Sequence, residues 1–197
     1  RAPNIDAPLL LYLGLISQLR QSQILLKVLR QVRLRYPNAR LIYVGDGQLP
    51  SDRQAIEKEA IELGLSDAVT VTGFLPREQA WELVNEADIC FSPLSPIPAL
   101  LPASPTKLIE YMAMAKCIVA NKHPEQCQIL SDSGVGRCIE WDVQSFVNEV
   151  FYLLDNPEYA KEIASKGPIW VRNNRTYDII ADEVDSQYRK LLGFEVE

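Results

Sequence analysis

The chain has 197 residues, about one domain at roughly 150 residues each. With 47% hydrophobic and 23% charged residues the composition is globular and excludes collagen, a coiled coil or a disordered tract. Twenty Lys and Arg against 26 Asp and Glu leave a net charge of −6, which excludes broad electrostatic attraction to nucleic acid or an anionic membrane, so an anionic ligand must be held by local groups.

No apolar run reaches the roughly 18 residues a membrane span needs. The first, Leu9 to Leu13, ends at Gly14 and reads as a strand, and Ile24, Leu25, Val28, Leu29 and Val32 then recur at helical spacing. Pro37 and Asn38 stop that helix, and Leu41 to Val44 form a second strand running into the turn Gly45-Asp46-Gly47. Ile56, Ala60 and Leu63 mark a second helix, Val69 to Thr72 a third strand ending at Gly73, and Ala80, Leu83, Val84 and Ala87 a third helix. Ala87 to Phe91 and Cys117 to Ala120 read as further strands, separated by a Pro-rich loop from Pro93 to Pro102 and a helix bearing Leu108, Tyr111, Met112 and Ala115. Val135 to Ile139 is a candidate sixth strand, and two helical patterns follow, from Phe146 to Leu154 and from Ile180 to Leu191.

Strands alternating with helices predict right-handed βαβ crossovers. The expected fold is α/β, a doubly wound parallel sheet of about six strands in the order 3-2-1-4-5-6 with helices on both faces. In such sheets ligands bind beyond the carboxyl ends of the strands, at the switch point between strands one and four. The loops to inspect are Gly14 to Gln21 and Ser92 to Ser104. The cysteines lack C-x-x-C spacing, and Cys90, Cys117 and Cys138 fall in apolar segments, which reads as reduced core thiols in the cytosol. Opening on Arg1 without a signal peptide, the chain reads as part of a longer protein.

Neither G-x-G-x-x-G nor G-x-x-x-x-G-K-[ST] is present, which counts against a nicotinamide cofactor or a P-loop nucleotide. The single His123 with scattered thiols makes no zinc motif, and there is no G-x-S-x-G elbow. The informative stretch is Ser104-Pro105-Thr106-Lys107-Leu108-Ile109-Glu110-Tyr111-Met112-Ala113. Ser104 suits an N-cap and Pro105 the first helical position, which leaves N–H groups for an anion beside the Lys107 charge. Thr106, Lys107 and Glu110 are expected near one face, with Glu110 about 9 Å from the cap, a reach suited to a diphosphate at the helix end and a ribose at the carboxylate. The alternative is an ordinary capped helix with a surface Lys–Glu pair. For His123 and Glu125, beside Pro124, a capping or solvent-facing role is expected ahead of a place at the cleft.

Gly14 with Arg20, Val44-Gly45-Asp46-Gly47, Val71-Thr72-Gly73-Phe74-Leu75-Pro76, Ala87-Asp88 and the stretch Ser104 to Ala113 stand in the order and spacing of a known family. Over residues 9 to 140 the chain resembles the carboxyl-terminal half of the retaining glycosyltransferases of family 4, also called group 1. The resemblance implies a GT-B architecture of two facing Rossmann-like halves. Residues 1–197 would be a single donor-binding domain, and the N-terminal half, which holds the acceptor, lies outside the chain. The implied substrate is a nucleotide-diphosphate sugar, UDP- or GDP-linked. Its sugar passes with retention to a glycan or lipid-linked acceptor, with no metal or other cofactor required. The implied setting is cytoplasmic polysaccharide biosynthesis, peripheral at the inner membrane through the other half.

Carried over by position, Glu110 resembles the glutamate that binds the ribose hydroxyls, and Arg20 the basic residue on the diphosphate. Thr106 and Lys107 would lie by the phosphates, Ser104, Pro105 and Leu108 would join the donor-binding residues, and Glu110, Arg20 and Lys107 are the candidate catalytic groups. The turn Gly73-Phe74-Leu75 would line the base pocket, with Phe74 alternatively a core residue. Gly14, Gly45, Asp46 and Gly47 would let turns pack closely at the cleft, or simply form a tight turn. The chain departs from the family at Leu15, where an arginine is common, and at Pro102, where the first of two paired glutamates stands. The alternatives are a sugar-nucleotide epimerase or a noncatalytic nucleotide-binding or interaction module. The helix from Ile180 to Leu191 is expected to leave part of its apolar stripe exposed toward the partner half.

Overall fold

The structure, a computed structural model, describes residues 3–193. β1 (Leu9–Leu13) passes through a 3-10 turn (Gln18–Arg20) into α1 (Ile24–Val32), followed by β2 (Arg40–Val44), α2 (Pro50–Glu62), β3 (Val69–Val71), α3 (Arg77–Glu86) and β4 (Ile89–Ser92). A loop with a second 3-10 turn (Pro98–Leu100) leads to α4 (Thr106–Ala113), then β5 (Cys117–Asn121), α5 (Pro124–Ser133) and β6 (Cys138–Ile139). Four helices come next: α6 (Val143–Asp155), α7 (Pro157–Ser165), α8 (Gly167–Asn174) and α9 (Tyr177–Leu191).

All pairings are parallel and the order is β3-β2-β1-β4-β5-β6, the doubly wound sheet expected. The apolar runs carry no polar alternation because both faces are covered. Leu10 and Tyr12, Leu41 and Tyr43, Ile89 and Phe91, and Cys117 and Val119 bury on one face with residues of α1, α2, α6 and α7. The intervening Leu11, Val44, Cys90, Ile118 and Ala120 bury on the other with α3, α4 and α5. Each fully buried Leu, Val or Phe contributes about 1.5–3 kcal/mol. Among the described residues no helix is long and apolar enough to cross a membrane.

Three expectations are corrected. Two additional helices, α7 and α8, stand where none was expected, α7 burying Ala160, Ile163 and Ala164. β6 is only Cys138–Ile139, because α5 ends on Gly134 with φ 64° and the chain bends at Val135 before it can pair. Ala115 lies outside α4, which ends at Ala113. It adopts φ 52° while the Lys116 amide donates back to the Tyr111 carbonyl over 3.0 Å, closing the helix end. α8 packs on α4, and a Cβ at Gly167 would stand 2.2 Å from the Met112 carbonyl oxygen.

Candidate functional site

At the carboxyl ends of the strands the glycine turns interlock. The Gly14 amide donates to the Val44 carbonyl and that of Ile16 to the Asp46 carbonyl, both over 2.9 Å, while Gly45 pairs with Gly73 and Ile16 with Gly47. Gly14, Gly45 and Gly73 have φ of 124°, 145° and 75°, where a side chain would be strained. Asp46 is committed locally, its Oδ1 accepting from the Gly47 amide over 2.8 Å and its Oδ2 lying 3.7 Å from Arg53. Gly45, Asp46 and Gly47 thus form a built turn bordering the switch point.

Lys107 enters from α4, across the crevice. It is 8% exposed, and its Nζ has no hydrogen-bond partner among the described residues. It lies 3.9 Å from the centre of the Tyr12 ring, and a Cβ at Gly14 would stand 3.4 Å from it. Loss of water pulls this ammonium down to about 7, with Arg20 adding in the same direction and Glu110 opposing. The surface Lys–Glu pair is therefore not what forms: Lys107 is buried, Thr106 and Glu110 are exposed, and no ion pair joins Lys107 to Glu110. Arg20 ends the first 3-10 turn, which Ser17 caps by accepting from the Arg20 amide.

Ser104 does not cap α4. The helix starts at Thr106, the cap position is Pro105 with no capping side chain, and the Ser104 hydroxyl instead donates to Glu125 over 3.4 Å. Glu110 consequently sits about 6 Å along the helix from its first residue rather than 9 Å. Protein crowds its carboxyl on one side, and this desolvation raises it above the usual carboxylate range against the pull of Arg77 and Lys107. Arg77, in the first turn of α3, lies with its guanidinium 5.6 Å from the Trp81 ring centre, and sequence reasoning missed it. Phe74 is 70% exposed, which overturns its reading as a core residue, while Leu75 is partly buried beside it. Leu108 packs into the second core cluster, away from solvent.

The Pro-rich loop is pinned from β5. Asn121 accepts from the Leu94 amide over 2.7 Å and donates to the Leu94 carbonyl over 2.8 Å, imitating one more rung of the sheet. Ser92 donates to Gln126 over 2.5 Å, and Gln126 to the Asn121 carbonyl over 3.1 Å. His123, expected at a cap or in solvent, is 3% exposed. It stands at the start of α5 with no capping bond, and its Nε2 lies 3.0 Å from the Leu100 carbonyl. That carbonyl can only accept, so Nε2 carries the proton. Pro102, in place of the glutamate, is exposed on this loop. Asp88 is structural: at the amino ends of the strands it accepts from the Leu9 amide over 2.8 Å and the Asn4 amide over 2.9 Å.

Among the described residues no three His, Cys, Asp or Glu side chains group as metal ligands. On one crevice the structure thus brings together Gly14, Arg20, Lys107 and Glu110, with Arg77 acting on Glu110 from α3. A buried lysine whose ammonium has no hydrogen-bond partner among the described residues is an arrangement that attracts an anion.

The sequence matches the family "Glycosyl transferases group 1" over residues 2–170. It is similar to the alpha-D-kanosaminyltransferase of Streptomyces kanamyceticus, with 21% identity over 187 residues, 94% of this chain and 46% of that protein. A glycosyltransferase from Rickettsia africae superposes with a TM-score of 0.82 at 18% identity, over 95% of this chain and 48% of that one. The Anabaena protein HepE in complex with UDP gives 0.75 at 19% identity, over 95% of this chain and 49% of that one. The chain spans about half the length of these relatives. With the family match reaching from the start of the chain through α7 into α8, on the doubly wound sheet these proteins share, the chain belongs to the group 1 glycosyltransferases.

Proposed function

We propose that this chain is the donor-binding half of a retaining glycosyltransferase, holding a UDP- or GDP-linked sugar at the switch point. The observation that carries the reading is the Lys107 ammonium, buried beside Gly14 with no hydrogen-bond partner for its Nζ among the described residues. A diphosphate supplies the missing counter-charge, and the UDP complex of the Anabaena relative supports a nucleoside diphosphate as the occupant.

When the bond between sugar and diphosphate breaks, negative charge develops on the leaving phosphate. Lys107, Arg20 and the amino end of α4 stabilise it on this reading, and because Lys107 is already buried there little reorganisation is called for. Glu110 accepts the ribose hydroxyls, and the turn at Gly73, Phe74 and Leu75 borders the base. The scheme calls on no metal or further cofactor. The other half presents the glycan or lipid-linked acceptor, against the stripe of Ile180, Val184, Tyr188 and Leu191 on α9, all exposed by 38% or more. We place the reaction in the cytoplasm, reaching the inner membrane through that half. Calorimetry with UDP, GDP and the corresponding monophosphates tests the reading: a clear preference for one diphosphate is expected, and equal or undetectable binding counts against it.

A further inference from the structure

Tyr12 touches both sides of the crevice. It is fully buried at the end of β1, and its hydroxyl donates to the Leu15 carbonyl over 2.8 Å, fixing the turn that leads to Arg20. The face of the same ring lies under the Lys107 ammonium at 3.9 Å. Tyr43 tilts against its ring, with centroids 5.6 Å apart, and holds its orientation through a hydroxyl that donates to the Ser22 carbonyl over 2.9 Å. The Tyr12 phenol itself stays neutral: burial pushes it up to about 12, with Arg20 pulling the other way.

We propose that Tyr12 is a positioning residue for the anion site, its ring holding the Lys107 ammonium charged and aimed at the turn after β1 while its hydroxyl sets that turn. This rests on the diphosphate reading for the ligand but not for the ring's effect on the lysine. An ammonium with no hydrogen-bond partner in a dry site loses its proton or swings out to water unless something favours the cation there. The ring face is negative and does so without using any of the three N–H donors, which stay free for phosphate oxygens. The charged groups acting on Lys107 are Arg20, from the first 3-10 turn, which opposes protonation, and Glu110, on its own helix, which favours it. Among the described residues β4, β5 and α8 contribute none. With Leu15 in place of an arginine, the turn itself supplies no cation next to Gly14. The ring thus keeps a cation from α4 beside Gly14, apart from the one that Arg20 supplies further along the turn.

The test compares Tyr12→Phe with its ring-fluorinated counterpart in the full chain, because fluorine drains the negative face and hardly changes the shape. Two readouts are taken: the Lys107 titration midpoint by NMR of 13C-labelled lysine without ligand, assigned against Lys107→Met, and calorimetric affinity for inorganic pyrophosphate. Fluorination is expected to lower the midpoint and to weaken pyrophosphate about tenfold, with no further loss in the Lys107→Met background. An unmoved midpoint overturns the proposal, as does an equal loss in the Lys107→Met background, which would reveal a packing effect. A lowered midpoint in a chain that does not bind pyrophosphate keeps the role of Tyr12 and removes the diphosphate reading.

Discussion

Gly45 and Gly14 meet backbone to backbone: a methyl group added at Gly45 would stand 2.2 Å from the Gly14 carbonyl oxygen, at a φ of 145°. Neither strain nor contact can relax without separating the ends of β1 and β2. Gly45→Ala is therefore expected to cost about 3 kcal/mol or more in urea unfolding and to weaken pyrophosphate binding by displacing Gly14. A variant as stable as the unsubstituted chain would show that this close approach is dispensable.

Ala115 offers the opposite case, a non-glycine residue at φ 52° just past α4. Removing its Cβ relieves left-handed strain while the closing hydrogen bonds remain. Ala115→Gly is expected to stabilise the chain by about 1 kcal/mol, which scanning calorimetry would read as a rise of roughly 2–4 °C at this size. No rise, or a fall, would mean that the methyl packs well enough to offset its strain.

Lys107→Met should trade function for stability. The ammonium sits at about 7 in the folded chain against its ordinary 10.5, so between these values the unfolded chain binds the extra proton and the stability of the unsubstituted chain rises with pH. The methionine variant is expected to be more stable by an amount on the order of a few kcal/mol at or below pH 7, the gain fading toward pH 10.5. It should also lose its preference for diphosphate over monophosphate. Urea curves at several pH values check the first part, and a pH-independent difference would contradict the burial argument.

Glu110→Gln exchanges one acceptor for a donor where two ribose hydroxyls are to be received. Binding of the nucleoside diphosphate is expected to weaken by about 1–3 kcal/mol, with affinity for inorganic pyrophosphate and the unfolding midpoint nearly unchanged. If both ligands weakened together, Glu110 would act on the phosphates rather than on the ribose.

On the proposed reading, in which the other half holds the acceptor, the chain alone is expected to bind donor without transferring sugar, because positioning two reactants is worth roughly 7–11 kcal/mol of barrier. Adding that half should protect α9, whose Val184, Tyr188 and Leu191 are 47%, 62% and 81% exposed, from hydrogen exchange. Efficient transfer to an added acceptor by residues 1–197 alone would sink the half-enzyme reading.

Much of the fold was legible because the sheet is covered on both faces. Leu9 to Leu13 and Cys117 to Ala120 are continuous apolar runs, and each lies in an interior strand. α7 and α8 were not legible: Ala160, Ile163 and Ala164 are few and small, and Pro157 and Gly167 look like breakers although each opens a helix. In the site, Lys107 and Glu110 could be read because they share one short helix after a proline. Tyr12 looked like one more strand residue, since its role depends on α4 crossing above it. Arg77 gave no signal, because only the turn after β3 brings it near Glu110. Ser104 misled because local spacing cannot foresee a competitor such as Glu125 from another element.

With Gly167 seated on the Met112 carbonyl, α4 has no slack along its axis. α8 stops its carboxyl end, and the lysine lying on the Tyr12 ring steadies its amino end. Lys107 and Glu110 therefore keep a fixed span, which under the proposed function would be a ruler for the distance from phosphate to ribose. A donor differing in its nucleoside or diphosphate meets that ruler unchanged. One differing only in its sugar would meet the same ruler, so this helix would not tell one sugar from another. On that reading, selection among sugars would be separated from recognition of the nucleotide, and could change through evolution without disturbing the helix that measures.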